Sequence, residues 1–414
     1  MPCIKPFCAF MPAVSLLSTV VTRPLEHYST GEARLIASEN ACSFLHLIDP
    51  ELDNQYLRGT RQELVFKKIS ENLEGFIEHK YLVQQAVPAI YVYQVRHDNL
   101  VQTGIWTLTH INDYLEGKIK KHESTVERRE KLLADYLQQT GLDANPVLIT
   151  YNPDEVVERI TKKYLDLTPN LDFVFADGTE HKVWAIADAK DLAEVVDAFA
   201  KMPAVYIADG HHRAASMAKM GLQKKKLNAA KHNGTEGYNY FSTVYMNTRE
   251  VKVLEFNRLV RDLGDLSPQA FMLALASSFS IEKSAVQVKP DALHKIGMYF
   301  DHQWYVLSPK PGIYNENDPV DVLDVSILQN FILGPLLKIK DPRTDARITF
   351  EGGRTPISEL QTKVDNGLFA VAFVLYPTSV PQVIAVADAG GVMPPKSTWV
   401  EPKFLVGLLT SYFN

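Results

Sequence analysis

Ala204-Val205-Tyr206-Ile207-Ala208-Asp209-Gly210-His211-His212-Arg213-Ala214-Ala215-Ser216-Met217-Ala218 opens as an apolar run too short for a helix, turns at Asp-Gly, and continues as an alanine-rich helical stretch. Gly221 can end that helix as a C′ residue. A strand turning into a helix leaves the first-turn N–H groups without internal partners, at the positive end of the helix dipole. His211, His212 and Arg213 add donors and charge at the same spot. Such a corner suits an anion, phosphate above all. The plain alternative is a turn with Asp209 as the helix cap. That alternative leaves His-His-Arg unexplained, because a first turn favours acidic residues and Arg213 there needs an anion to answer it.

The chain carries its own control. Ala176-Asp177-Gly178 repeats the tripeptide between Phe173-Val174-Phe175 and Lys182-Val183-Trp184-Ala185-Ile186. Two strand-like runs around a short loop predict a β-hairpin, in which Asp-Gly is ordinary turn chemistry.

With 414 residues, 46% of them hydrophobic, the chain has ample core for two or three domains. Its net charge of −6 argues against a protein that coats nucleic acid. Cys3, Cys8 and Cys42 offer no disulfide framework and no metal-binding spacing, which suits a reducing, cytoplasmic setting. Pro6 to Val21 imitates a signal peptide, but its prolines and β-branched residues predict the buried start of a domain. No run reaches the length of a membrane span.

Outward from the corner, the pattern predicts a helix from Thr30 to Ser38 capped by Ser29 or Thr30. Another follows from Gln62 to Ile77, with Leu64, Ile69, Leu73 and Ile77 on one face. Ile90–Val95 and Thr103–Leu108 flank a turn at His97-Asp98-Asn99. A charged helix from Glu123 to Gln139 leads through Gly141 to a strand at Pro146–Tyr151, and a helix near Asp191–Ala200 precedes the corner. Tyr240–Met246 and Phe369–Leu375 read as strands, and Lys224-Lys225-Lys226 as a solvated loop beyond Gly221. Hairpins mixed with helices predict an α+β chain, divided as an N-terminal region 1–85, a core 86–250 and a C-terminal domain 251–414.

Three further stretches could carry chemistry. In Lys120-Lys121-His122-Glu123-Ser124-Thr125, Glu123 could accept a proton, while Ser124 or Thr125 could simply cap a helix. Met393-Pro394-Pro395-Lys396-Ser397-Thr398-Trp399-Val400-Glu401-Pro402-Lys403 is either a stiff surface strap or a segment facing substrate. In Asp341-Pro342-Arg343-Thr344-Asp345-Ala346-Arg347 and Glu351-Gly352-Gly353-Arg354, arginines close to two glycines could grip phosphate or carboxylate, but they read first as exposed salt bridges.

With Lys5-Pro6-Phe7 and Ser43-Phe44-Leu45-His46, these motifs resemble the bacterial and archaeal family known as domain of unknown function 1015. Within it, the order His-Glu, helix, strand, Asp-Gly-His-His-Arg resembles a ParB/sulfiredoxin-like core, here lengthened by the Asp177 hairpin and embedded in a larger multi-domain chain. The nearest catalytic analogy is the ADP-dependent kinase of free serine. That resemblance implies Glu123 as base, Asp209 and His211 as catalytic partners, and Gly210, His212, Arg213, His122, Lys396, Ser397 and Thr398 around the cofactor. It also implies Asp209 as the metal ligand, with ADP or ATP and Mg²⁺. The sequence departs from the family at Leu25-Glu26, after Pro24, and at Glu127-Arg128-Arg129.

The expectation is a nucleotide-dependent phosphotransferase acting on a small hydroxyl-bearing metabolite such as a free amino acid, in the cytoplasm and away from membranes and nucleic acid. Its alternative is a ParB-like nucleotide-binding switch without catalysis. No GxxxxGK[ST] loop is present for a P-loop enzyme. A metalloprotein on His122, His211 and His212 is a third reading, weakened because adjacent histidines diverge at a helix start. Whether the chain forms a homo-oligomer is left open.

Overall fold

A computed structural model describes residues 2–52, 54, 57 and 62–413. The fold is α+β. It separates into two compact units, the first comprising Met1–Lys120, Ser124–Val251 and Pro402–Asn414, the second Lys121–Glu123 and Lys252–Glu401.

The first unit is built on a mixed sheet. Its strands are β1 (Ile4–Lys5), β2 (Ile90–His97), β3 (Leu100–His110), β4 (Ile119–Lys120), β5 (Val147–Tyr151), β6 (Leu171–Val174), β7 (Glu180–Ile186), β8 (Val205–Asp209) and β9 (Tyr240–Asn247). They lie in the order β4-β8-β5-β9-β3-β2-β7-β6, with β1 paired to β3. β5 is central, antiparallel to β8 and parallel to β9, and all five of its residues are buried. That explains why its sequence shows no polar alternation and is apolar apart from the buried Thr150, since a strand covered on both faces has no solvent side. The helices α1 (Glu127–Thr140), α2 (Glu155–Leu165), α3 (Ala189–Lys201) and α4 (His211–Leu227) cover it. Their apolar stripes join one core with Ile149, Ile207 and Phe241.

Sequence and structure agree over the control hairpin. β6 and β7 pair antiparallel, and Gly178 takes φ +83° in the turn, where Thr179 donates to the Asp177 carboxylate. Ser29 caps the helix Thr30–Glu39 in a capping box with Glu32. Gly141 ends α1 in the left-handed conformation. Ala9, Phe10, Met11, Leu17 and Val20 are buried, as the start of a domain requires.

Three local expectations fail for identifiable reasons. α4 does not stop at Gly221 but runs to Leu227, so the three lysines form its last turn, where they complement the helix dipole. Gly221 is there for close packing, because a Cβ would meet Ile111 Cδ1 at 2.5 Å and the Tyr238 carbonyl at 2.7 Å. α1 begins at Glu127 with Val126 as its uncapped start, and the Thr125 hydroxyl donates to Glu130 instead of capping. In the helix Gln62–Glu78 the buried stripe is Ile69, Leu73 and Phe76, while Leu64 and Ile77 are exposed.

The second unit carries an antiparallel sheet of β10 (Phe256–Val260), β11 (Phe279–Ser284), β12 (Ile296–Phe300), β13 (Gln303–Pro309), β14 (Ile348–Gly352) and β15 (Val371–Val374). Its order is β11-β13-β12-β15-β10-β14. A ribbon of Lys252–Leu254 and Trp399–Glu401 stands beside it in sequence. Among the described residues no helix is long and apolar enough to cross a membrane.

Candidate functional site

The corner forms where β8 ends. Tyr206 and Ile207 pair in register with Thr150 and Ile149, then Ala208 is skipped and Asp209 pairs with Leu148. A bulge of this kind re-aims the following side chain. Gly210 follows at φ +100° and ψ 29°, a conformation costly for any residue with a Cβ, and occupies the N-cap of α4. Gly210 itself has no side chain with which to cap this helix. The α4 N-terminus is the positive end of the helix dipole, the end that suits an anion.

Asp209 is not the cap. Its carboxylate lies between two cations, the Arg213 guanidinium one turn along α4 and the Lys403 ammonium at 2.9 Å. Arg213 also donates to the Asn145 side chain and, at 2.7 Å, to the Pro146 carbonyl. The anion that answers Arg213 is thus within the chain, which removes the sequence argument that Arg213 itself demands a ligand. Burial pushes the Asp209 carboxyl up, but Lys403 and Arg213 outweigh it and hold it well below the usual carboxylate range. A third of the Asp209 side chain remains accessible.

That arrangement does not fit a resident magnesium ion. A metal at Asp209 would have to displace two cations, and among the described residues no three His, Cys, Asp or Glu side chains gather as a metal site. His211 is buried and His212 half-buried, so the adjacent histidines have different surroundings. The Ser216 hydroxyl donates to the His212 carbonyl.

The sequence reading missed three contributors. Asn145 shapes the guanidinium's seat from the residue before Pro146. Lys403 closes the C-terminal signature, but nothing in its spacing tells that it reaches back 194 positions to Asp209. His27 is the third. Burial lowers its pKa, Glu26 opposes that, and the charges of Lys403 and Asp209 also act on it. The bridge between Thr22 and Val406 brings these chain segments together. Behind the corner, the Asp143 carboxyl accepts the Ser242 N–H at 2.7 Å, and burial raises it to about 7 against the pull of that bond and of Arg213.

The structure thus brings Asp209, Gly210, His211, His212 and Arg213 together with Lys403 in the first unit. The other candidates, His122, Glu123, Lys396, Ser397 and Thr398, belong to the second. There the His122 carbonyl accepts the Met393 N–H at 2.8 Å, tying the His-Glu segment to the C-terminal signature. Glu123 is exposed, and His122 is buried. The Ser397 hydroxyl is spent on the Pro394 carbonyl, which makes Ser397 a turn-former. Arg343 pairs with Asp341, Arg347 with Asp345 and Asp262, and Arg354 with Glu401, so these arginines form salt bridges as expected.

The fold and its anion-ready corner define an α+β protein with a strand–glycine–helix site. The chain belongs to the family described as protein of unknown function DUF1015, which matches residues 4–326. Solved structures similar to it include a mutant free serine kinase in complex with AMP, at 12% identity and a TM-score of 0.40, covering 73% of this chain and 92% of that one. A mutant free serine kinase in complex with ADP is similar at 12% identity and 0.40, covering 76% and 96%. A conserved hypothetical protein from Pyrococcus furiosus is similar at 12% identity and 0.37, covering 72% and 91%. No curated protein matches the sequence.

Proposed function

We propose that the chain is a phosphotransferase that uses ADP or ATP to phosphorylate a small hydroxyl-bearing metabolite such as a free amino acid. The observation that carries this reading is the start of α4 directly behind a left-handed Gly210 at the end of β8. A nucleotide, when bound, supplies the phosphoryl group. The chain's own residues do the rest. First-turn N–H groups of α4 receive phosphate oxygens, and Lys403 and Arg213 fix Asp209, so that the corner is rigid before any ligand arrives. Glu123 accepts the proton of the acceptor hydroxyl. The magnesium ion expected with the nucleotide has no carboxylate cluster at the corner to hold it.

A second reading, a ParB-like nucleotide-binding switch, draws on one observation. The corner's clamping partners, Asn145, Pro146, Asp209 and Lys403, all belong to the first unit, whereas Glu123 belongs to the second. A binding site can be complete without Glu123, but a kinase with Glu123 as base cannot.

Thermal melting with ADP, ATP, CTP and inorganic phosphate tests the site. A nucleotide at a hundred times its dissociation constant should add about 2.7 kcal/mol of stability to the wild type. Gly210→Ala should lose that gain, because its Cβ would stand 2.8 Å from the Arg213 guanidinium and in a strained backbone region. Its unliganded melting temperature reports any cost to the fold separately. An equal nucleotide shift in both proteins contradicts binding at the corner.

A further inference from the structure

Arg258 lies in the middle of β10 with 3% of its surface exposed. Its guanidinium donates to the carbonyls of Phe256 and Lys396, the latter at 2.8 Å, and lies 5.5 Å from the centre of the Phe350 ring. Among the described residues no carboxylate pairs with it, and burial alone draws its pKa down to about 9. A buried charge without a counter-charge is expensive, and proteins ordinarily pair it.

A second cation sits beside the first. Lys396 is exposed and holds φ +56°, a left-handed conformation uncommon for a residue with a Cβ. The Arg258 guanidinium donates to its carbonyl and so holds the Lys396 backbone. Its ammonium stands 5.2 Å from the centre of the Phe256 ring, and it too has no carboxylate partner among the described residues. Two cations therefore stand by the aromatic rings of Phe256 and Phe350, and among the described residues neither is in an ion pair. Elsewhere in the second unit Arg343, Arg347 and Arg354 each have a carboxylate partner.

We infer that Lys396, which the family resemblance sets beside the cofactor, instead forms with Arg258 a receptor for the carboxylate of a small ligand. Lys396 makes the contact. Arg258 is a positioning residue that fixes the Lys396 backbone and supplies uncompensated positive charge from behind. A carboxylate fits better than a phosphate, because phosphate sites gather several N–H donors and this one offers a single exposed ammonium. The inference rests on the phosphotransferase reading for the ligand's role, and it narrows the acceptor to hydroxyl-bearing amino or hydroxy acids, excluding simple polyols.

The test is calorimetric titration of the full chain with L-serine, L-serine methyl ester, L-threonine, D-glycerate and glycerol. It is run on wild type, Lys396→Gln and Lys396→Arg, with ADP affinity and melting temperature measured for each. At least one of the three acids should bind the wild type. Loss of one charge-assisted contact should weaken that acid about tenfold in Lys396→Gln, with ADP affinity unchanged and Lys396→Arg restoring most of the loss. For L-serine, the ester should bind as weakly as the Gln variant. The receptor is overturned if none of the acids binds, if Lys396→Gln leaves their affinity unchanged, or if that variant weakens ADP instead. Acid binding through Lys396 without phosphoryl transfer keeps the receptor and removes the kinase. Transfer to glycerol as fast as to L-serine keeps the kinase and removes the receptor.

Discussion

Replacing Glu123 by Gln should lower phosphoryl transfer by roughly 10²- to 10⁴-fold, the usual contribution of a positioned general base. The substitution keeps the size and shape of the side chain and removes only its proton-accepting charge. Glu123 is exposed and its charge acts on Arg343, so the melting temperature of the variant is measured alongside to report any cost to the fold. ADP affinity should stay within about twofold of wild type, because in the proposed reaction the residue serves the acceptor and not the nucleotide. The two readouts belong on the same protein: calorimetry for the nucleotide, and single-turnover transfer for the chemistry. Transfer at the wild-type rate removes Glu123 as base. A parallel fall in ADP affinity would make it a binding residue.

The next largest effect is on stability, and it comes from Asp143. This carboxyl is buried, and burial pushes its pKa up to about 7 in the folded chain from the ordinary carboxylate value of 3.8. Below pH 4 it is protonated in both states and pH has no leverage. Between pH 4 and 7 the unfolded chain gives up the proton while the folded chain retains it, so stability falls as pH rises through that window. The three-unit gap corresponds to an upper bound of about 4 kcal/mol. Asp143→Asn keeps an oxygen for the Ser242 N–H and has no proton to lose. The variant should therefore gain on wild type between pH 4.5 and 7.5, with most of that bound appearing in the difference of urea unfolding free energies. Asp209 has the opposite sign, and its contribution is lost only as pH falls through its depressed folded-state value. Both proteins share that term, and it cancels in the comparison. An equal difference at the two pH values contradicts the buried, protonated state.

The strand–turn–helix order around Asp209 was legible because each piece follows from local rules: an apolar run, a glycine with no Cβ to strain, and a helix-forming alanine stretch. The Asp177 hairpin was legible for the same reason. What failed was everything decided at a distance. Gly221 has the composition of a helix end, and only its contact with Ile111 and Tyr238 shows that it serves packing. Arg213 reads as a charge awaiting a ligand because Asn145 and Pro146 lie far back in the chain, and because Asp209 reads as a metal ligand or a helix cap and not as its ion-pair partner. Lys403 and Arg258 have no local signature at all. One reaches Asp209 from the C-terminal segment, and the other is recognisable only by the absence of a counter-charge among its described neighbours.

Those long-range contacts also change what the corner can do. A site whose arginine and aspartate already neutralise each other binds through oriented backbone N–H groups more than through net charge. Nucleotide affinity should accordingly depend more on Gly210, which sets the backbone, than on ionic strength.

Transfer of labelled phosphate from ADP or ATP by the wild-type chain to a panel of hydroxyl-bearing amino acids, hydroxy acids and polyols, followed by phosphorus NMR of the products, tests the central claim most directly. A new phosphate monoester on one of the acids, formed with multiple turnovers and lost in Glu123→Gln, is the predicted result. Tight nucleotide binding with no phosphorylated acceptor anywhere in the panel would contradict the kinase and leave the corner as a nucleotide-binding switch.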